Sequence, residues 1–421
     1  MGDRKAGHPD PPPPHLRGIY SPKLHLTLYS LLLVFTPFLM LRNFLQTAIG
    51  DISLSTFHLG GLAVPLVPTL AAAAVVLLLA IFRPRITKRR VLAALLSLGM
   101  VALAQRITDF YFGHRFYELQ QNWHYFAYAI FTLMSYRYLR FRGVPLARLV
   151  LITFGLAVVY SAFDEGFQLL ITSRIFDPSD IAKDAWGALT GLTFLLIAGE
   201  YPELAQGKWK RIRQRTVAEY FHRTASVWVL LFVLGLLFLG YASLLTESQY
   251  LGAILLFTLG TFGVFFAVLH LSQFRWRGRA LLALTLLAVL TQGYFYLRHR
   301  NDYIIRQQYG LTIYKGIPVP FFDVMIFPDS HFRLVDKKHY FNSRDRRFFN
   351  RQRPDILIIG AGYRGKGGQG FPQQRGSRFM YNPFTERGTQ VIILNSSQAC
   401  ERFNQLKRQG KNVLLVLHNT C

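Results

Sequence analysis

Cysteine is nearly absent from this chain: two in 421 residues, Cys400 and Cys421. That excludes a disulfide framework and a cysteine-built zinc site. Acidic residues are also scarce, with 22 Asp and Glu against 48 Lys and Arg, for a formal net charge of +26. There is no HExxH, no GxSxG and no repeated His–carboxylate spacing, so the sequence signatures of common hydrolytic sites are missing. The first 20 residues hold no apolar h-region, and with Pro11–Pro14 they are expected to be disordered, not a cleaved signal peptide.

What the chain has in quantity is apolar surface, 51% of its residues, 36 of them Phe. Runs long enough to cross a bilayer, about 20 residues each, lie at roughly 24–41, 60–82, 91–112, 124–140, 147–166, 181–199, 226–245, 250–271 and 279–297. The basic residues alternate with them: five in Arg83–Arg90, four in Arg137–Arg148, six in Lys208–Arg223 and three in Arg275–Arg279. The intervening connections are nearly free of them, which is the positive-inside pattern and predicts a cytoplasmic N-terminus. No aromatic-interleaved basic motif accompanies the charge, so nucleic acid is not an expected partner. Trp123, Trp186, Trp228 and Trp276 fall near expected segment ends, as interfacial belts do. The expected organisation is a Pro-rich N-terminus (1–23), six membrane helices (24–200), a basic amphipathic linker (201–225), three further membrane helices (226–298) and a small α/β domain (299–421). The fold class is therefore an α-helical multi-pass membrane protein with a C-terminal α/β domain.

The polar residues that interrupt the membrane pattern concentrate in one hairpin, Ser161–Gly191. Glu165, Gln168, Arg174, Asp180, Asp184, Gly187 and Gly191 follow one another at intervals of 3, 6, 6, 4, 3 and 4. Helical phase puts Glu165 and Gln168 on one face of one helix, and Asp180, Asp184, Gly187 and Gly191 on one face of the next. Carboxylates at the mouth of two membrane helices are costly, which points to use. The Gly187-x-x-x-Gly191 pair suits close helix approach.

That run resembles the VanZ-like membrane protein family, over roughly residues 25–200. Glu165, Gln168, Arg174, Asp180, Gly187 and Gly191 match the family pattern, and Asp184 stands where the family usually has Asn. His124 and Tyr128 fit a second family feature, with Gln120 and Gln121 replacing its charged pair. Some members are linked to glycopeptide (teicoplanin) resistance, so the resemblance implies a cell-envelope role and no certain reaction.

Three readings of the hairpin stand side by side. It could be a structural clamp in which Arg174 pairs with Asp180 or Glu165. It could bind a polar headgroup or a peptidoglycan-precursor-like ligand, with Arg174 on a phosphate or carboxylate. It could be catalytic, with Glu165 as general base and His124 as partner on a lipid-linked substrate. The expected function is non-enzymatic recognition or shielding of an envelope component, with no catalytic residue assigned, no metal and no cofactor. A membrane-anchored assembly scaffold is the remaining alternative. Membrane lipids are expected partners, along with an envelope lipid-linked ligand or a protein partner of the tail.

After Leu297 the apolar runs shorten to strand length. Tyr303–Tyr314, Phe322–Phe327, Ile356–Ile359, Gln390–Leu394 and Asn412–Leu417 read as strands. Asn395 or Ser396 can cap a helix through Gln409, and Gly410 can end it. Ile359-Gly360-Ala361-Gly362 and Ala399-Cys400 through Asn404, with Gly316, Asp323 and Pro328-Asp329 before them, resemble the small α/β domain shared by the adipogenesis-associated protein of animals and a mitochondrial complex I assembly factor, over about residues 303–421. No catalytic residues are established for that family, so the resemblance implies none. Gly360–Gly365 satisfies G-x-G-x-x-G, but no helix can follow it and no acidic residue stands where a ribose would need one, so a structural turn is expected at Gly360 and Gly362. Nine crossings from an inside start leave the tail outside the inner membrane.

Overall fold

The computed structural model of the chain describes residues 20–39, 48–49, 51–52, 55–110, 119–140, 142–170, 176–199, 216–337, 340, 352–368, 379–382 and 387–420. Arg174, Cys421, most of the basic linker and the Pro-rich N-terminus lie outside them. The chain forms two compact units, one from residues 1–103, 116–176 and 180–235, the other from 104–115, 177–179 and 236–421.

Among the described residues the long helices are α1 (Pro22–Leu39), α2 (Leu66–Phe82), α3 (Lys88–Thr108), α4 (Leu119–Arg140), α5 (Leu146–Gln168), α6 (Pro178–Ala198), α7 (Thr224–Leu244), α8 (Leu251–Leu271) and α9 (Arg275–His299). Six of these helices, α3 and α5 to α9, are long and apolar enough to cross a membrane, the α8 span counting from Ser248. In a bilayer such helices satisfy every backbone group internally, which is why apolar runs of this length fold as helices there. The run expected from residue 60 starts instead at Leu66, because Thr56–Leu59 (β1) and Leu62–Pro65 (β2) form a hairpin turned by Gly60 and Gly61. Both glycines have positive φ, which a tight two-residue turn requires. At the start of α6, Pro178 brings its fixed φ to the first turn, and Asp177 Oδ1 accepts the Ser179 N–H at 2.8 Å.

In the first unit α4 packs on α1 and α5. Of the six helices of spanning length, α6 is the most enclosed, whereas α9 has no buried residue. Trp186 on α6 is fully buried, contrary to its expected interfacial place: its Nε1 donates to Met100 O at 2.9 Å and its ring packs on Phe232. A buried indole needs such an acceptor, and the Met100 carbonyl supplies it. Gly187 and Gly191 face α4 so closely that a Cβ would stand 2.8 Å from Tyr125 O and 2.7 Å from Ala129 O.

The second unit contains the tail. Ile304–Gln308 (β3), Leu311–Tyr314 (β4) and Ile317–Pro320 (β5) make a three-stranded antiparallel sheet. The strand expected over 303–314 is thus two strands, broken at Gly310, whose φ is 74°. Asp323–Ile326 (β6), Phe332–Val335 (β7), Ile356–Gly360 (β8), Phe379–Asn382 (β9), Arg387–Leu394 (β10) and Val413–Leu417 (β11) form a six-stranded sheet ordered β7-β6-β11-β8-β10-β9. β10 and β11 both pair parallel with β8, and Ser396–Arg408 (α10) is the crossover between them. Asn395 caps α10 by accepting the Gln398 N–H at 2.9 Å, and Gly410, at φ 72°, follows its end. Two buried clusters sandwich the sheet, one under α10 around Phe403 and Leu415, the other around Leu357, Val416 and Phe110.

Four helix ends meet the tail within this unit. Phe110, just past α3, belongs to the tail's second cluster. Leu244 O, closing α7, accepts the Lys337 N–H at 2.8 Å. Tyr250, just before α8, meets Phe321 edge-on at 6.1 Å. On α9, Gln292 Nε2 donates to Gly316 O at 2.9 Å.

Candidate functional site

The hairpin residues assemble from the helices upward. α5 places Ser161, Glu165 and Gln168 along one buried face, because residues four and three apart overlie each other on a helix. α6 places Asp180, Lys183 and Asp184 in its first two turns, and α4 brings His124 to them. Asp184 is 1% exposed; its Oδ2 accepts from Ser161 Oγ at 2.6 Å and its Oδ1 lies 2.9 Å from His124 Nδ1. The other ring nitrogen of His124 stands 3.7 Å from Asp180 Oδ1, which also accepts from Lys183 Nζ at 2.7 Å. One turn along α5, Glu165 Oε1 accepts from Gln168 Nε2 at 2.7 Å, and Glu165 is 1% exposed.

The structure thus joins His124, Asp180 and Asp184 directly and pairs Glu165 with Gln168; Arg174 lies outside the described residues. Two members of the cluster were not singled out from the sequence. Ser161 stands four residues before Glu165 on the same helical face, and Lys183 three after Asp180, so helical phase alone could have found both. His124 and Asp180 are only partly buried, so the cluster opens to the surroundings on the His124–Asp180 side while Asp184 closes it behind. Carboxylates outnumber the described cations here, which favours an amine- or hydroxyl-bearing group at the opening.

The tail holds a second buried polar network. Lys337 donates all three protons, to Phe321 O at 2.8 Å, Asp323 Oδ1 at 2.7 Å and Thr420 Oγ1 at 2.9 Å. Its ammonium also lies 4.9 Å from the Phe321 ring centroid. Asp323 in addition accepts the Asn419 N–H at 3.0 Å and pairs with His418 Nδ1. Burial raises the Asp323 carboxyl, but the His418 imidazole and the Lys337 ammonium outweigh it and hold the group below the ordinary carboxylate value. Asn419 donates to Val319 O at 3.0 Å and Phe322 O at 2.7 Å and accepts from Thr312 Oγ1, so the network ties the small sheet to the large one. Its members lie 14 and 95 residues from Asp323, which is why no local pattern announced it.

The Gly-rich stretch after β8 spends its amides on the protein itself. Gly362 N–H goes to Ser396 Oγ at 3.0 Å, Gly365 N–H to Gly362 O at 3.2 Å and Gly367 N–H to Ala361 O at 2.8 Å. Residues 361–368 are turn and extended chain, so no helix dipole faces a phosphate there. Cys400 is buried in α10 and its thiol is pushed well above the ordinary value by that burial and the neighbouring Glu401, which makes it inert.

No curated protein matches the chain. Among solved structures, MT938 and a conserved hypothetical protein PH1505 from Pyrococcus horikoshii OT3 are similar at 18% identity, with TM-scores of 0.23 and 0.22. Each similarity covers 28% of this chain and 98% of the other. Residues 310–418 match a protein family of unknown function, DUF498/DUF598. The small α/β domain that ends this chain, with its crossover helix α10 and its buried Asp323–Lys337–His418 network, is therefore a DUF498 domain.

Proposed function

We propose that the chain is a nine-crossing membrane protein whose VanZ-like helical part recognises a polar, lipid-linked envelope component at the outer face, without transforming it. The observation that carries this reading is Asp184: a nearly fully buried carboxylate at a helix mouth, with both oxygens engaged by Ser161 and His124. A carboxyl group held this way is a fixed hydrogen-bonding anchor behind Asp180 and His124, whose ring it orients toward a ligand. The general-base alternative at Glu165 is less favoured, because Glu165 is 1% exposed among the described residues and its Oε1 is bonded to Gln168.

Sidedness follows from parity. The ends that meet the tail are the C-terminal ends of α3, α7 and α9 and the N-terminal end of α8. Alternating crossings put those four ends on one side and the basic connections before α3, α5, α7 and α9 on the other. The positive-inside rule then makes the tail's side the outer one.

The test is what the detergent-solubilised full chain retains. Native mass spectrometry of wild-type protein should show a bound polar lipid or lipid-linked molecule, displaced by Asp184→Asn and by His124→Gln with the fold retained. Identical retention in wild type and both variants would defeat the reading.

A further inference from the structure

The turn between β4 and β5 is a two-residue hairpin, Tyr314 pairing with Ile317 across Lys315 and Gly316. Both turn residues have positive φ, 49° for Lys315 and 78° for Gly316. Gly suits that conformation; at the first position Asn, Asp or Gly fit and lysine is a poor choice. Gly is required at 316 for a second reason, since a Cβ would lie 2.5 Å from Phe295 O. The turn therefore rests on the final two turns of α9, where Gln292 donates to Gly316 O. Seven residues separate Gln292 from the end of α9 at His299, about 10 Å at the helical rise. The turn thus hangs about one headgroup depth back toward the apolar body of the helix, level with exposed Tyr294, Phe295 and Tyr296.

A second lysine converges on the same place. Lys315 N–H donates to Tyr303 O at 3.0 Å, and Lys407 Nζ lies 5.7 Å from the Tyr303 ring centroid and donates to Pro328 O at 2.7 Å. Lys407 is held below the ordinary lysine value by burial first and by Lys315 second, so the two ammonium groups repel each other. Among the described residues, the carboxylate that acts on Lys407 is Asp329, which is itself engaged by His331. An anion between the two lysines would relieve that repulsion. The Lys315 ammonium lies 5.6 Å from the Tyr314 ring centroid, in the strand paired beside Tyr303. A lysine in a strained turn, a second lysine over the adjacent tyrosine and a position at the level where a membrane helix emerges all converge on one ligand chemistry.

We propose that Lys315 and Lys407 form a binding site for the phosphate group of an anionic phospholipid at the surface of the membrane that α9 crosses. The inference rests on the membrane reading of α9, which alkaline carbonate extraction tests by itself: a chain released by carbonate would refute the membrane reading. The site test uses delipidated full-length protein in detergent, titrated with phosphatidylglycerol or phosphatidylcholine and read by native mass spectrometry. Lys315→Asn is the informative variant, because Asn-Gly improves this turn while removing the charge; its melting temperature should stay or rise. Phosphatidylglycerol affinity should fall roughly fivefold for Lys315→Asn or Lys407→Gln and about 25-fold for the pair. Phosphatidylcholine binding should not change. The control pair Arg402→Gln and Lys411→Gln, both on exposed residues, should leave phosphatidylglycerol affinity intact. Unchanged affinity in the Lys315 and Lys407 pair, or an equal loss in the control pair, overturns the site. Displacement of the lipid by millimolar inorganic phosphate would overturn the lipid as its source and assign the site to free phosphate.

Discussion

At the scale of single residues, the sharpest energetic statement concerns Lys337. It is 1% exposed and spends every proton on the protein, while Asp323 beside it is equally enclosed. Removing one member of such a pair leaves an uncompensated buried charge, which costs about 3–5 kcal/mol. Lys337→Met in the full chain is expected to lower the unfolding free energy of the tail by about that amount and to speed hydrogen exchange in β6 and β11 first. The pair also fixes an acid limit. Asp323 titrates below its unfolded value, so its contribution is fully present above the ordinary carboxylate range, about pH 4. That contribution is lost as the pH falls through the lower folded value. Unfolding measured from pH 7 down to pH 2 should show the tail weakening only below about pH 4, and Asp323→Asn should flatten that arm. A steady loss already between pH 7 and 5 would point to other groups.

At the scale of elements, the decisive interface is that of α4 with α6. Gly187 and Gly191 let the α6 backbone approach Tyr125 and Ala129 closely, which is also what brings His124 within 2.9 Å of Asp184. Gly191→Ala should cost about 1–3 kcal/mol by overpacking, and ligand retention should fall with it because His124 is pushed off Asp184. Gly166→Ala is the comparison: nothing lies within 4 Å of its Cβ position, so thermal stability in detergent should be unchanged or slightly higher. Equal melting temperatures for both variants would remove the close approach from the argument. The polar face of α5 was legible from spacing, since Ser161, Glu165 and Gln168 obey helical phase. The partners across helices were not, because His124 and Asp184 are 60 residues apart.

At the scale of the whole molecule, the proposed topology makes a testable statement about the side on which the DUF498 tail lies. With nine crossings as proposed, parity and the placement of basic residues predict the outer side. An impermeant maleimide applied to intact cells or spheroplasts should then label Cys421, whereas Cys400, buried in α10 with its thiol pushed up, should react only after unfolding. Labelling that waits for lysis would put the tail inside and require an odd helix among the nine to lie out of the membrane. α1, α2 and α4 are the helices outside the set of six with full spanning length and apolarity, so they would be re-examined first.

Sequence alone determined the division of this chain into an apolar helical part and an α/β tail. Hydrophobic run length is a one-dimensional property, and the bilayer and the sheet each demand a characteristic one. It also marked the Glu165–Gln168 face, the Asp180–Asp184–Gly187–Gly191 face of the next helix, the Asn395 cap and the stop at Gly410, all of which depend on neighbours within a few residues. Tertiary structure decided everything that needs distant residues brought together. It buried Trp186 against Met100 and set Asp184 between Ser161 and His124. It also closed the Lys337–Asp323–His418 network and seated the Lys315–Gly316 turn against α9. Spacing cannot encode such meetings, because they depend on how separate elements cross and pack, and that is fixed only when their apolar surfaces are buried against each other.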